Sequence, residues 1–156
     1  MAAPTSRLTP ADLAPGVASL LAGETDLIAN MANIAALVYE ALPDVNWAGF
    51  YLWKEGELVL GPFQGRVACT RIAAGKGVCG TAARDRVTLV VPDVHAFPGH
   101  IACDAASASE IVVPILVGDR LLGVLDIDSP RRERFTLADQ TMVEAIVALL
   151  VRSIPA

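Results

Sequence analysis

Three cysteines, two histidines and three carboxylates in this 156-residue chain have types and spacings that could do chemistry. Cys69, Cys79 and Cys103 fall with His95 and His100 inside one glycine-rich stretch, Gly61 to Asp104. An odd number of thiols leaves three uses: inert burial, a metal site, or reactive sulfur. Zinc sites favour close pairs such as C-x2-C. Here the cysteines are ten and twenty-four residues apart, with H-x4-H between the last two. A structural disulfide set is excluded if the compartment is reducing. Cys79 falls in what reads as the first turn of a short helix, where the helix dipole lowers a thiol pKa. On local physics alone it would be the nucleophile. The histidines could move protons or brace backbone carbonyls, and they rank as supporting residues.

The carboxylates are Glu110, Asp126 and Asp128. In Leu125-Asp126-Ile127-Asp128-Ser129 side chains alternate, so the two aspartates share one strand face about 7 Å apart. The plain alternative is a polar strand end leaving the core. Glu110 begins the partner strand, and the register decides whether it joins them. A two-residue loop, Gly118-Asp119, pairs Val117 with Arg120 and puts Glu110 opposite Ile127, on the wrong face. A three-residue loop or a bulge near Pro114 would bring it to the aspartates. One of these two is expected.

Gly75-Lys76-Gly77-Val78-Cys79-Gly80 is literally G-x-G-x-x-G. No parallel βαβ unit surrounds it and no ribose-binding acid follows about 20 residues on, so it is not read as a dinucleotide site. Its glycines turn the chain into a helix whose N–H groups could hold a carboxylate.

The elements that must position these groups follow in order. Thr9-Pro10-Ala11-Asp12 opens a short helix with Leu13, Val17, Leu20 and Leu21 on one face. A second helix spans about Thr25 to Leu42, its stripe running through Met31, Ile34 and Val38. Strands are expected at Asn46–Trp53, Leu58–Phe63 and Arg66–Ile72. A helix at Val78–Arg84 and a strand at Leu89–Val91 come next, then a long functional loop to Ser109. Strands Glu110–Val117 and Arg120–Asp128 precede a capped C-terminal helix from Thr136. One antiparallel sheet with helices on its faces is the simplest arrangement, an α+β fold.

By length the chain is one domain, 1–156, with residues 1–8 a flexible start. It is 54% hydrophobic and 19% charged with a mean hydropathy of +0.51, which suits a packed core. A net charge of −5 without a basic cluster argues against nucleic acid. No apolar run is long enough to span a membrane and the N-terminus has no signal-peptide pattern, so a cytoplasmic protein is expected.

Gly-Pro-Phe-Gln-Gly at 61–65, Ala-Cys-Thr-Arg-Ile at 68–72, Gly-Lys-Gly-Val-Cys-Gly-Thr-Ala at 75–82, Val-Pro-Asp-Val-His-Ala-Phe-Pro-Gly-His-Ile-Ala-Cys-Asp at 91–104, Ser-Glu-Ile-Val-Val-Pro at 109–114 and Gly-Val-Leu-Asp-Ile-Asp-Ser-Pro at 123–130 closely resemble the free methionine-(R)-sulfoxide reductases. These are single-domain GAF proteins, and the resemblance covers essentially the whole domain. It implies a GAF-like fold with about six antiparallel strands and reduction of free L-methionine (R)-S-oxide. It also implies Cys103 as nucleophile, overruling the dipole argument, with Cys69 as resolving thiol and Cys79 as an auxiliary or alternative resolver. Trp47 and Tyr51 would line the pocket, and Glu110, Asp126 and Asp128 would contact substrate. Thioredoxin is the implied reductant, with no metal and no organic cofactor. The apolar helices suggest a homodimer. The rival readings are a GAF module that senses a small ligand without consuming it, and a zinc-held structural or interaction protein.

Overall fold

The computed structural model describes residues 8–100 and 106–156. Expectations for the N-terminal residues and for Cys103 therefore lie outside the described residues, apart from Leu8. Thr9 closes a capping box with Asp12 around a 3-10 turn, Pro10–Asp12, which runs into α1 (Leu13–Leu21). Leu13, Val17 and Leu21 are buried, whereas Leu20 stands at the edge of the stripe and is 39% exposed. The α2 helix (Leu27–Ala41) starts where the Asp26 carboxylate accepts from the Ala29 N–H at 2.8 Å.

Six strands follow: β1 (Trp47–Lys54), β2 (Glu57–Gly65), β3 (Arg71–Ala73), β4 (Leu89–Val91), β5 (Ser109–Val117) and β6 (Arg120–Ser129). They form one sheet in the order β3-β2-β1-β6-β5-β4, antiparallel throughout. Between β3 and β4 lies α3 (Gly77–Asp85), and α4 (Leu137–Ser153) closes the chain behind the Thr136–Asp139 capping box. The expected α+β fold with six antiparallel strands is the observed one. Among the described residues no helix is long and apolar enough to cross a membrane.

The sheet has a core on each face. Ala48, Phe50, Ile111, Val113, Leu125 and Ile127 pack with α1, α2 and α4. The alternate residues of the same strands, Trp47, Tyr51, Val112 and Val124, pack with Val78, Cys79, Ala82 and Ala83 of α3. Gly80 allows that helix to lie close: a Cβ there would stand 2.4 Å from the Ala73 carbonyl oxygen. Gly75 and Gly77 take φ values of 78° and 60°, the left-handed region that favours glycine. The G-x-G-x-x-G spacing thus serves a tight entry into α3.

The third strand is shorter than its sequence suggests. Residues 66–69 lie outside the ladder, and two of their carbonyls are held by side chains, while the Thr70 carbonyl still accepts from the Leu60 N–H at 2.9 Å. The Trp47 indole N–H donates to the Arg66 oxygen at 3.1 Å, and the Tyr51 hydroxyl to the Cys69 oxygen at 3.0 Å. Sequence alternation cannot reveal such bonds, since the donors stand on β1, 18 and 19 residues away along the chain.

Candidate functional site

The loop joining β5 to β6 is the two-residue kind, with Val117 opposite Arg120. A bulge then intervenes: Leu116 faces Leu121 but Ile115 faces Gly123, so Leu122 is the extra residue. That single insertion returns Glu110 to a position opposite Asp128, on the aspartates' face. The bulge lies beside the expected Pro114. Across the sheet Glu110, Asp128 and Trp47 form one row, and Val112, Asp126 and Gly49 the next.

These carboxylates are not a polar strand end. Glu110 is 8% exposed, Asp126 is 5% exposed and Asp128 is half-buried. The reason is α3, which covers this face and drops Cys79 onto it. Cys79 Sγ lies 3.7 Å from Glu110 Oε2. Trp47 stacks with Tyr51 and Phe63, ring centroids 5.8 and 5.3 Å away, forming an apolar wall beside the acids. Cys69 does not itself line the cleft; it follows Ala68, which does, on the segment that Trp47 and Tyr51 pin down. It is disulfide-bonded, whereas Cys79 is a free buried thiol.

Burial in so acidic a place governs protonation. Desolvation, and then the Asp126 charge, hold the Glu110 carboxyl well above its usual range. Asp126 is raised by desolvation and by Asp128. The Tyr51 hydroxyl is pushed up by burial and the same acids. The Cys79 thiol is raised too, by burial and then by Asp126, Glu110 and Asp128. This corrects the dipole expectation. Cys79 is the third residue of α3, but a helix terminus contributes only about 0.3–1 kcal/mol at the surface. Full desolvation beside carboxylates outweighs it.

The cleft is partly open, with about 550 Å³ of space between its walls when the solvent at its mouth is included. Trp47, Tyr51, Cys79, Glu110, Asp126 and Asp128 all line it. His100 reaches it as well, edge-on to His95 with centroids 5.8 Å apart. Desolvation and then His95 lower the His100 pKa, which favours the neutral ring. His95 itself is exposed and does not line the cleft. Lys76 and Ser107 were not singled out from sequence, yet both line it. Lys76 precedes α3 as its N-cap, so a cation just before a glycine-framed helix start was the available signal. Ser107 carried none.

A six-stranded antiparallel sheet with an acid-lined cleft under α3 defines a class. The GAF domain model matches residues 26–154, and the chain belongs to that family. Its relatives narrow the branch. It is 54% identical over 140 residues to the free methionine-R-sulfoxide reductase of Escherichia coli, covering 90% of this chain and 85% of that one. Among solved structures, fRMsr of Staphylococcus aureus in complex with substrate is 48% identical with a TM-score of 0.89, covering 99% of both chains. The free methionine-R-sulfoxide reductase of Neisseria meningitidis in complex with its substrate is 45% identical with a TM-score of 0.89, covering 92% of this chain and 87% of that one. Within the GAF family this chain groups with the free methionine-R-sulfoxide reductases.

Proposed function

We propose that the protein reduces free L-methionine (R)-S-oxide to L-methionine in this cleft, by thiol chemistry. The observation that carries the reading is the convergence of Glu110, Asp126 and Asp128 beneath α3 beside an aromatic wall, with the Glu110 and Asp126 carboxyls held well above their usual range by burial. The names of the E. coli and N. meningitidis relatives support the substrate and its handedness.

Sulfoxide reduction needs a nucleophile at sulfur and protons at oxygen. The Cys103 thiolate attacks the sulfoxide sulfur while a protonated carboxyl, Glu110 or Asp126, donates to the oxygen. Methionine leaves with its sulfur reduced, and the oxygen stays on Cys103 as a sulfenic acid. The Cys69 thiol condenses with that acid, releasing water and forming a disulfide. A thioredoxin-type dithiol reduces the disulfide by exchange and is itself oxidised. Cys69 being disulfide-bonded while Cys79 is free supports this division of labour. With three cysteines in the chain, Cys103 is the proposed partner. Cys79, its thiol held protonated, serves as an auxiliary rather than the attacking group.

An ionised carboxylate of the cluster pairs with the substrate α-ammonium, which a methionine inside a peptide lacks. Trp47 packs on the S-methyl group. A cytoplasmic location suits a cycle that returns through free thiols. The test is stereospecific turnover of free methionine sulfoxide with a thioredoxin system, scored by methionine released. Consumption of the (R) epimer with the (S) epimer untouched is expected. Tight binding without turnover would make this a sensing module instead.

A further inference from the structure

We propose that Cys79, Glu110 and Asp126 form a binding site for a thiophilic divalent cation of the Zn2+ type, which occupies the cleft in place of substrate. The consequence for activity rests on the proposed function; the binding does not.

The donor atoms of the three residues lie within 4.8 Å of one another. Tetrahedral zinc, with Zn–S near 2.3 Å and Zn–O near 2.0–2.2 Å, sets sulfur and oxygen about 3.6 Å apart. Cys79 Sγ and Glu110 Oε2 are already 3.7 Å apart. Asp126 supplies a second, independent observation. Its side chain is 5% exposed, and its Oδ1 is buried with no hydrogen-bond partner among the described residues. A buried carboxylate oxygen left without a partner is costly, and a cation satisfies it.

Each donor stands on a different regular element, Cys79 on α3, Glu110 on β5 and Asp126 on β6, so the set is held by the fold. Three protein donors leave the fourth position open to the cleft. Donor type selects the ion: Mg2+ and Ca2+ prefer six or more oxygens, while one thiolate with two carboxylates suits a borderline metal such as Zn2+. Binding displaces the protons that burial and mutual repulsion keep on these groups, and the dication then removes that repulsion. The other ionisable groups lining the cleft are Tyr51 on β1, Asp128 on β6, Lys76 and His100. The metal lies where the acids would meet the sulfoxide and the ammonium, so metal and substrate exclude one another.

The experiment uses Co2+ as a spectroscopic probe and Zn2+ for affinity, on reduced full-length protein. Co2+ should give a thiolate charge-transfer band with tetrahedral d–d absorption. The Cys69→Ser/Cys103→Ser protein, whose only thiol is Cys79, should keep the band. Adding Cys79→Ser or Cys79→Ala should abolish it. Asp126→Asn and Glu110→Gln should each weaken Zn2+ binding at least tenfold, with far-UV circular dichroism confirming the fold. Loss of the band in the double variant, or wild-type Zn2+ affinity in folded Asp126→Asn, would overturn the site. In the turnover assay Zn2+ should raise the apparent KM for methionine sulfoxide at unchanged kcat, reversibly by chelator. A Co2+ band in a protein without turnover would sink the reductase reading and leave the metal site standing. Turnover without a band at saturating Co2+ would do the reverse.

Discussion

The two faces of the sheet are built from the same strands, yet they differ in almost every physical respect. Along β5 and β6, Ile111, Val113, Leu125 and Ile127 turn one way and are at most 4% exposed, with three helices over them. Glu110, Asp126 and Asp128 turn the other way, under one short helix and irregular chain. Side-chain alternation makes this possible, since neighbours along a strand serve opposite layers. The first face gains stability by excluding water from hydrocarbon. The second gives some up by burying acids, and gains groups that can give protons and hold charge. Separating the two lets the site bury acids without breaking into the apolar core.

Several substitutions should break or sharpen that division. The largest effect is expected from Cys103→Ser, which should abolish methionine release even in a single turnover; residual release would remove the nucleophile assignment. Cys69→Ser, in contrast, should release one equivalent of methionine and then stall with thioredoxin present. On the apolar face, Phe50→Ala should cost about 3–5 kcal/mol in urea unfolding while sparing the KM of the folded fraction. A change in KM as large as that of a site-face variant would erase the distinction.

Asp128→Asn should act oppositely, raising KM about tenfold or more as a charge-assisted contact to the ammonium is lost. Unchanged KM would take Asp128 out of substrate binding. Stability against pH gives a finer test. The folded-state pKa values of Glu110 and Asp126 lie above their ordinary values of 4.5 and 3.8. Their contribution is therefore complete below about pH 4 and is lost as pH rises toward the folded values. Between pH 5 and 8 the urea midpoint of Glu110→Gln should fall less steeply than that of wild type, whereas Phe50→Ala should keep the wild-type slope. Smallest of all, Arg71→Ala breaks an exposed ion pair with Glu57 and should cost no more than about 1 kcal/mol.

Much of this molecule can be read from the chain itself. Proline and capping residues mark the helices, as Thr136 and Asp139 do for α4, because those interactions are local. The alternation Asp126-Ile127-Asp128 assigns both aspartates to one face before any fold is known. The motifs around the three cysteines point to the family by themselves. Three features needed the tertiary structure. Glu110 joins the aspartates only through the bulge at Leu122, where one extra residue shifts the register of every pair beyond it, from Ile115–Gly123 to Ser109–Ser129. Residues 66–69 lie outside the sheet, where Trp47 and Tyr51 hold the Arg66 and Cys69 carbonyls. The Cys79 thiol is weakened as a nucleophile by burial first, and then by acids more than thirty positions further along the chain, at Asp126, Glu110 and Asp128. Propensity, capping and alternation act over a few residues and are written in sequence. Register, competition for a carbonyl, and the dielectric around a thiol depend on distant segments, and only the folded chain brings those together.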